Sequence, residues 1–152
     1  MPNGRHRGGH GGNRVGPGIP NPRPVRYYTD DGRLDPALVD ELAQKRAEEF
    51  RALKSTQLRR FFDEVQAIRR QWELEAGKGK DPDEAFSEVR ARFAMLKARG
   101  VYAKGRMRRE IPDAFVQFLV DHVHAVKTAR DFQAFLRHFE AVVAFHKYLA
   151  RE

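Results

Sequence analysis

The chain has 152 residues, with 29 Lys and Arg against 21 Asp and Glu, a formal net charge of +8. That length suits one domain of ordinary size, and 41% hydrophobic with 33% charged residues suits a soluble globular chain. The absence of cysteine excludes disulfides, thiolate nucleophiles, iron–sulfur clusters and Cys-based zinc sites; with no spanning apolar run and no apolar signal core, a cytoplasmic, non-enzymatic, polyanion-contacting protein is expected.

Composition divides the chain near residue 34. Residues 1–34 hold 8 of the 12 glycines, 5 of the 8 prolines, 6 arginines and 2 acids. Such a segment buries too little apolar surface to offset its ordering entropy. It reads as a flexible basic arm, either solvated or settling on phosphates when a partner is present. The arm carries +4 and the body the other +4, so half of the excess charge does not depend on the arm.

Residues 35–152 read as a single all-α domain, a compact bundle of about five helices. Pro36, Pro82 and Pro112 each stand where a helix begins. Asp35-Pro36 and Asp81-Pro82 pair a favoured N-cap with proline at the first helical position, where its missing N–H is harmless. Gly77, Gly79 and Gly100 mark expected stops. The expected helices are 36–53, 55–76, 82–99, 112–127 and 129–150. With no Gly or Pro between the first two, the helix could run straight through, but the Ser55 hydroxyl can cap an orphan N–H and a break is expected there. Thr128-x-x-Asp131 is a capping-box variant opening the fifth. Leu58, Phe61, Phe62, Val65, Ile68 and Trp72 make an apolar stripe on the second helix, as do Phe132, Phe135, Leu136, Phe139, Val142, Val143, His146 and Leu149 on the fifth. Phe145 stands off the stripe of the fifth helix, and Val116 and Val120 off the Phe115–Leu119–Val126 face of the fourth, which predicts that some of them pack against another chain or an identical copy.

Catalytic chemistry is missing from the pattern. His122 and His124 are two apart and face different ways on a helix; His138 and His146 lie about 12 Å apart along one. His146 falls on the apolar stripe, where a hydrogen-bonded core role is expected. His6 and His10 lack a third ligand, so no metal site is expected. The tail glycines follow no strand and make no phosphate-cradling loop. No nucleophile, base and acid are arranged together, and no cofactor is expected.

Two basic segments carry the positive evidence. Lys54, Gln57, Arg59 and Arg60 open the second helix, whose N-terminal N–H groups and dipole favour a phosphate. On a helical wheel Arg59 shares a flank with Asp63, Gln66 and Arg70, and Arg60 lies toward the opposite flank. Residues 97–109 contain six basic residues, two glycines and no acid. They read as a basic loop in which Lys97, Lys104, Arg106, Arg108 and Arg109 track a backbone and Tyr102 meets a sugar or base.

Three stretches, Ser55 to Val65, Met95 to Arg106 and Phe135 to Tyr148, resemble the small subunit of the type III-A CRISPR–Cas effector, the Csm complex. The run from Phe139 to Tyr148 is the most distinctive. The resemblance covers about residues 50–150 and implies a small helical protein without catalysis, packed in several copies beside the subunits that carry CRISPR RNA. It implies RNA-facing positions at Lys54, Gln57, Arg59 or Arg60, Lys97, Tyr102 and Arg106, with guide RNA, target RNA, other Csm subunits and copies of itself as partners. Two alternatives remain at this point: a helix-turn-helix DNA binder using the second helix, and a structural adaptor that touches no nucleic acid.

Overall fold

The structure is a computed structural model and describes residues 18–150. It contains a 3-10 turn, Pro36–Val39, and five α-helices: α1 (Glu41–Glu49), α2 (Ser55–Gly77), α3 (Pro82–Arg106), α4 (Asp113–Ala125) and α5 (Ala129–Leu149). Among the described residues there is no strand, only an isolated antiparallel bridge between Tyr28 and Leu34. The fold is an all-α bundle, as the periodicity indicates.

The local start signals act as read. The Asp35 carboxylate accepts from the Ala37 N–H at 3.0 Å and that of Asp81 from the Asp83 N–H at 3.1 Å. At α5 the capping box is complete: Thr128 accepts from the Asp131 N–H, and Asp131 accepts from the Thr128 N–H. Gly79 ends the α2 turn at φ +89°, a conformation glycine adopts without steric penalty.

Three boundaries differ from the expectation. The first helix is not continuous over 36–53, because Asp40 leaves helical geometry (φ −127°, ψ −110°) between the 3-10 turn and α1. The N-cap of α2 is Lys54 rather than Ser55. Gly100 does not stop the third helix, which continues to Arg106, so most of the basic loop is helix. The reason is packing. A Cβ on residue 100 would lie 2.4 Å from Leu119 Cδ1, so glycine here allows α4 to approach α3.

Buried histidines close the first helical region from α5. His138 donates its Nδ1–H to the Leu38 carbonyl, at the end of the 3-10 turn. His146 donates its Nε2–H to the carbonyls of Phe50 and Leu53, at 3.0 and 2.8 Å. The Phe50 carbonyl also accepts from the Leu53 N–H at 2.8 Å; a buried acceptor left without a bond would cost about 1–3 kcal/mol. The break before α2 is thus satisfied by a side chain almost a hundred residues away, and His146 is the hydrogen-bonded core residue expected.

Residues 18–34 form a strap over α4 and α5. The Arg23 backbone and Nε donate to Asp121 at 2.7 and 3.1 Å, and Gln117 donates to the Asn21 carbonyl at 2.8 Å. Tyr27 is buried with its hydroxyl 2.7 Å from His122 Nδ1, and Arg130 stacks on the Tyr28 ring at 3.8 Å. This part of the Gly/Pro-rich arm therefore belongs to the folded body, which corrects the boundary at residue 34. Its two tyrosines and Arg23 supply anchoring that average composition conceals. Residues 1–17, with the rest of the arm, lie outside the described residues.

The strap also accounts for the second face of α4. Val116 and Val120 are buried within the chain, 7% and 1% exposed, with the strap's bonds to Gln117 and Asp121 bracketing Val120. Phe145 is half-buried against the same core. The two valines need no second chain for their burial.

Candidate nucleic-acid interface

α2 and α3 form a helical hairpin. Its closed end is tied by Trp72 Nε1–H donating to the Pro82 carbonyl at 3.0 Å. Along its length the Glu64 carboxylate accepts from Arg92 at 2.7 and 3.3 Å and lies 3.8 Å from Arg99. At its open end Gln57 Nε2 donates to Met107 Sδ at 3.3 Å and reaches Glu110 Oε2 at 3.5 Å. The start of α2 and the end of α3, about 50 residues apart in sequence, are thereby neighbours.

These contacts separate the two adjacent arginines of α2. Gln57, Glu64 and Gln71 repeat every seven residues and face α3, since Arg92 bonds both Glu64 and Gln71. Arg60 sits within one turn of that row, on the α3 flank. Arg59 instead shares its flank with Phe62, whose ring meets Phe139 of α5. Both arginines are exposed.

The basic segment of α3 divides likewise. Arg99, Tyr102 and Arg106 lie on the α2 flank, in register with Arg92; Tyr102 is 68% exposed. Lys97 and Lys104 lie on the α4 flank, in register with Val101. Lys104 is engaged: its ammonium donates to the Arg108 and Ile111 carbonyls at 2.8 and 2.6 Å and pairs with Asp113 at 2.9 Å. It closes the turn from α3 into α4. Arg108 and Arg109 are exposed on that turn.

The sequence-predicted residues thus form one cluster and three outliers. Lys54, Gln57, Arg60, Tyr102 and Arg106 gather at the open end of the hairpin, next to Arg108 and Arg109. Arg59, Lys97 and Lys104 lie on other flanks. Arg99 belongs with the cluster but was not among the residues singled out. The seven-residue spacing of Arg92, Arg99 and Arg106 was the available signal, hidden by reading the segment as a loop. Among the described residues no group of three His, Asp or Glu side chains could hold a metal ion, and no helix is long and apolar enough to cross a membrane.

A family profile described as Csm2 Type III-A matches residues 33–152. The chain belongs to this family. It is a small subunit of a type III-A CRISPR effector, the Csm complex, and the match spans the whole helical body along with the last two residues of the strap. The resemblance seen in the sequence is therefore established, and membership implies assembly with the other subunits of that complex. Comparison with curated proteins and with solved structures gives no match.

Proposed function

We propose that this Csm2-family subunit holds the phosphate backbone of CRISPR RNA and its paired target along the open end of the α2–α3 hairpin, without catalysis, in antiviral defence. The observation that carries the reading is the convergence of exposed cations from two helices and a turn beside an exposed aromatic. Lys54 caps α2 and Arg60 lies on it, Arg99, Tyr102 and Arg106 come from α3, and Arg108 and Arg109 from the turn. Nearby acids are few: Glu64 pairs with Arg92 and weakly with Arg99, and Glu110 is held near Gln57.

Guide-independent binding suits such a surface, because base pairing reads the sequence and the protein need only follow the backbone. Neighbouring Csm subunits and further copies of the chain complete the channel in this reading. The helix-turn-helix alternative is less well supported. A recognition helix must enter the major groove, whereas α2 lies along α3 with Leu58, Val65, Ile68 and Trp72 buried.

The test is RNA binding across a salt series, by the free subunit and by the assembled complex. Arg60→Gln and Arg106→Gln should each weaken binding about equally for unrelated RNA sequences. Each should flatten the log–log salt slope by about 0.7, the increment for one phosphate contact on a single strand. Arg59→Gln should change the slope less. Unchanged affinity and slope in Arg60→Gln/Arg106→Gln, with helicity intact, would refute the reading; a loss confined to one RNA sequence would point to base readout.

A further inference from the structure

A second concentration of polar groups lies on elements that the RNA reading does not use. The strap, the 3-10 turn, α1, α4 and α5 border a cavity of about 280 Å³, near the lower end of small-ligand pockets, roughly 300 Å³. Its lining includes Arg23, Arg26 and Arg46, the rings of His122 and His138, and a single acid, Asp121. Both histidines are buried, with ring centroids 5.2 Å apart.

The bonding leaves donors over. Arg46 uses only Nη1 on the two Glu49 oxygens, at 2.9 Å each. Arg23 uses Nε and its backbone N–H on Asp121. The other guanidinium nitrogens of both have no acceptor among the described residues. The Tyr27 O–H has no other acceptor among them either, so it donates to His122 Nδ1 and leaves the ring proton on Nε2. His138 spends its Nδ1–H on the Leu38 carbonyl.

Burial and the Arg46 charge both act on the two rings. Burial, then His138 and Arg46, pushes the His122 imidazolium well below the usual range. Burial and Arg46 lower His138 as well, against the opposing pull of the Leu38 carbonyl. The charged and titratable groups around the pair are Tyr27, Arg23 and Arg26 of the strap, Arg46 of α1 and Asp121 of α4. Tyr27 stays neutral, burial first and then Asp131 and Asp121 having raised it. Each of the three guanidinium groups in the lining has a carboxylate partner, Arg23 with Asp121, Arg26 with Asp30 and Arg46 with Glu49, so what the lining offers an anion is their remaining N–H groups.

We propose that this cavity binds a small phosphate dianion, through the spare Arg46 and Arg23 N–H groups and His122 Nε2–H. A tetrahedral dianion offers several acceptors to guanidinium forks, and its charge offsets the Arg46 field at both rings. Binding raises both histidine pKa values, while the dianion's own protonation near neutral pH works against binding as the pH falls. The site stands apart from the RNA reading and does not rest on it.

The experiment follows the histidine ring signals of the full chain by NMR during titration with inorganic phosphate, and separately with a nucleoside 5′-monophosphate. The expected result is saturable movement of His122 and His138 and an upward shift of both pKa values. Arg46→Gln should weaken binding about tenfold, the size of one charge-assisted hydrogen bond, while the exposed Arg90→Gln leaves it unchanged. Tighter binding of the mononucleotide would make the ligand a phosphate ester, and equal binding a free phosphate. Should Arg46→Gln fail to fold, the half-exposed Arg23→Gln replaces it. Histidine signals that stay fixed in the folded wild-type chain, or equal weakening by Arg90→Gln, would overturn the proposal.

Discussion

The two halves of the bundle are held together differently. The α2–α3 hairpin carries its polar contacts on the outside: Glu64 with Arg92 and Arg99, Arg69 with Glu73, Lys80 with Glu75. Solvent-exposed pairs of that kind contribute about 0–1 kcal/mol each. The α4–α5 half keeps its polar contacts inside. Phe118 stands among Phe50, Phe115, Phe135, Phe139 and the rings of His122 and His138, and each buried histidine answers a specific partner. Where charges are exposed, a residue can be exchanged for the sake of a ligand with little effect on the fold. Where the interior contains hydrogen-bonded rings, almost any exchange is a change in stability. Binding and stability should therefore be separable by mutation.

The strongest test of that separation is Phe118→Ala. Truncating a fully buried phenylalanine costs about 3–5 kcal/mol, which denaturant unfolding would read directly. RNA affinity per folded molecule should stay the same, because the hairpin's open end does not include this ring. A loss of affinity in the folded fraction would show that the halves are coupled.

Gly100→Val probes the seam between them. Its side chain must displace Leu119, which is itself buried, and overpacking of this kind costs about 1–3 kcal/mol. The substitution should lower the unfolding midpoint and loosen α3 against α4. It should spare the α2 flank, where Arg99, Tyr102 and Arg106 lie. Hydrogen exchange of the α3 amides would show whether the loosening stays on one side.

Acidification should act on the buried half. His122 and His138 have folded pKa values below their ordinary 6.5, so between those values the unfolded chain binds more protons than the folded one. Stability is then full above about pH 7.5 and falls as the pH drops through 6.5. The loss is about 1.4 kcal/mol per pH unit for each proton taken up only on unfolding. Unfolding midpoints from pH 8 to pH 5 would measure it. A His122→Phe variant should flatten the profile; an equally steep profile in that variant would place the titrating group elsewhere.

Much of this was legible in the residues, and the misses share a cause. N-caps and capping boxes are local bonds between residues two or three apart, so Asp35, Asp81 and Thr128 announce their helices without help. Apolar stripes are likewise local in period, and they identified the core faces of α2 and α5. Gly100 was misread because a helical glycine and a terminating glycine look alike until the neighbour, Leu119, is known. The same error turned a helical row of arginines into a loop and concealed Arg99.

The sequence by itself determined the helical class, most helix starts, the family resemblance and the basic character of the surface, because each depends on residue type and short spacing. Tertiary structure alone decided that Arg60 and not Arg59 flanks α3, that Lys104 closes a turn, and that residues 18–34 strap α4. It also decided that His138 and His146 satisfy carbonyls near residues 38 and 53. Each of these except the Lys104 turn depends on a partner 28 to 102 residues away, and no local propensity records which partner the packing of the core brings near.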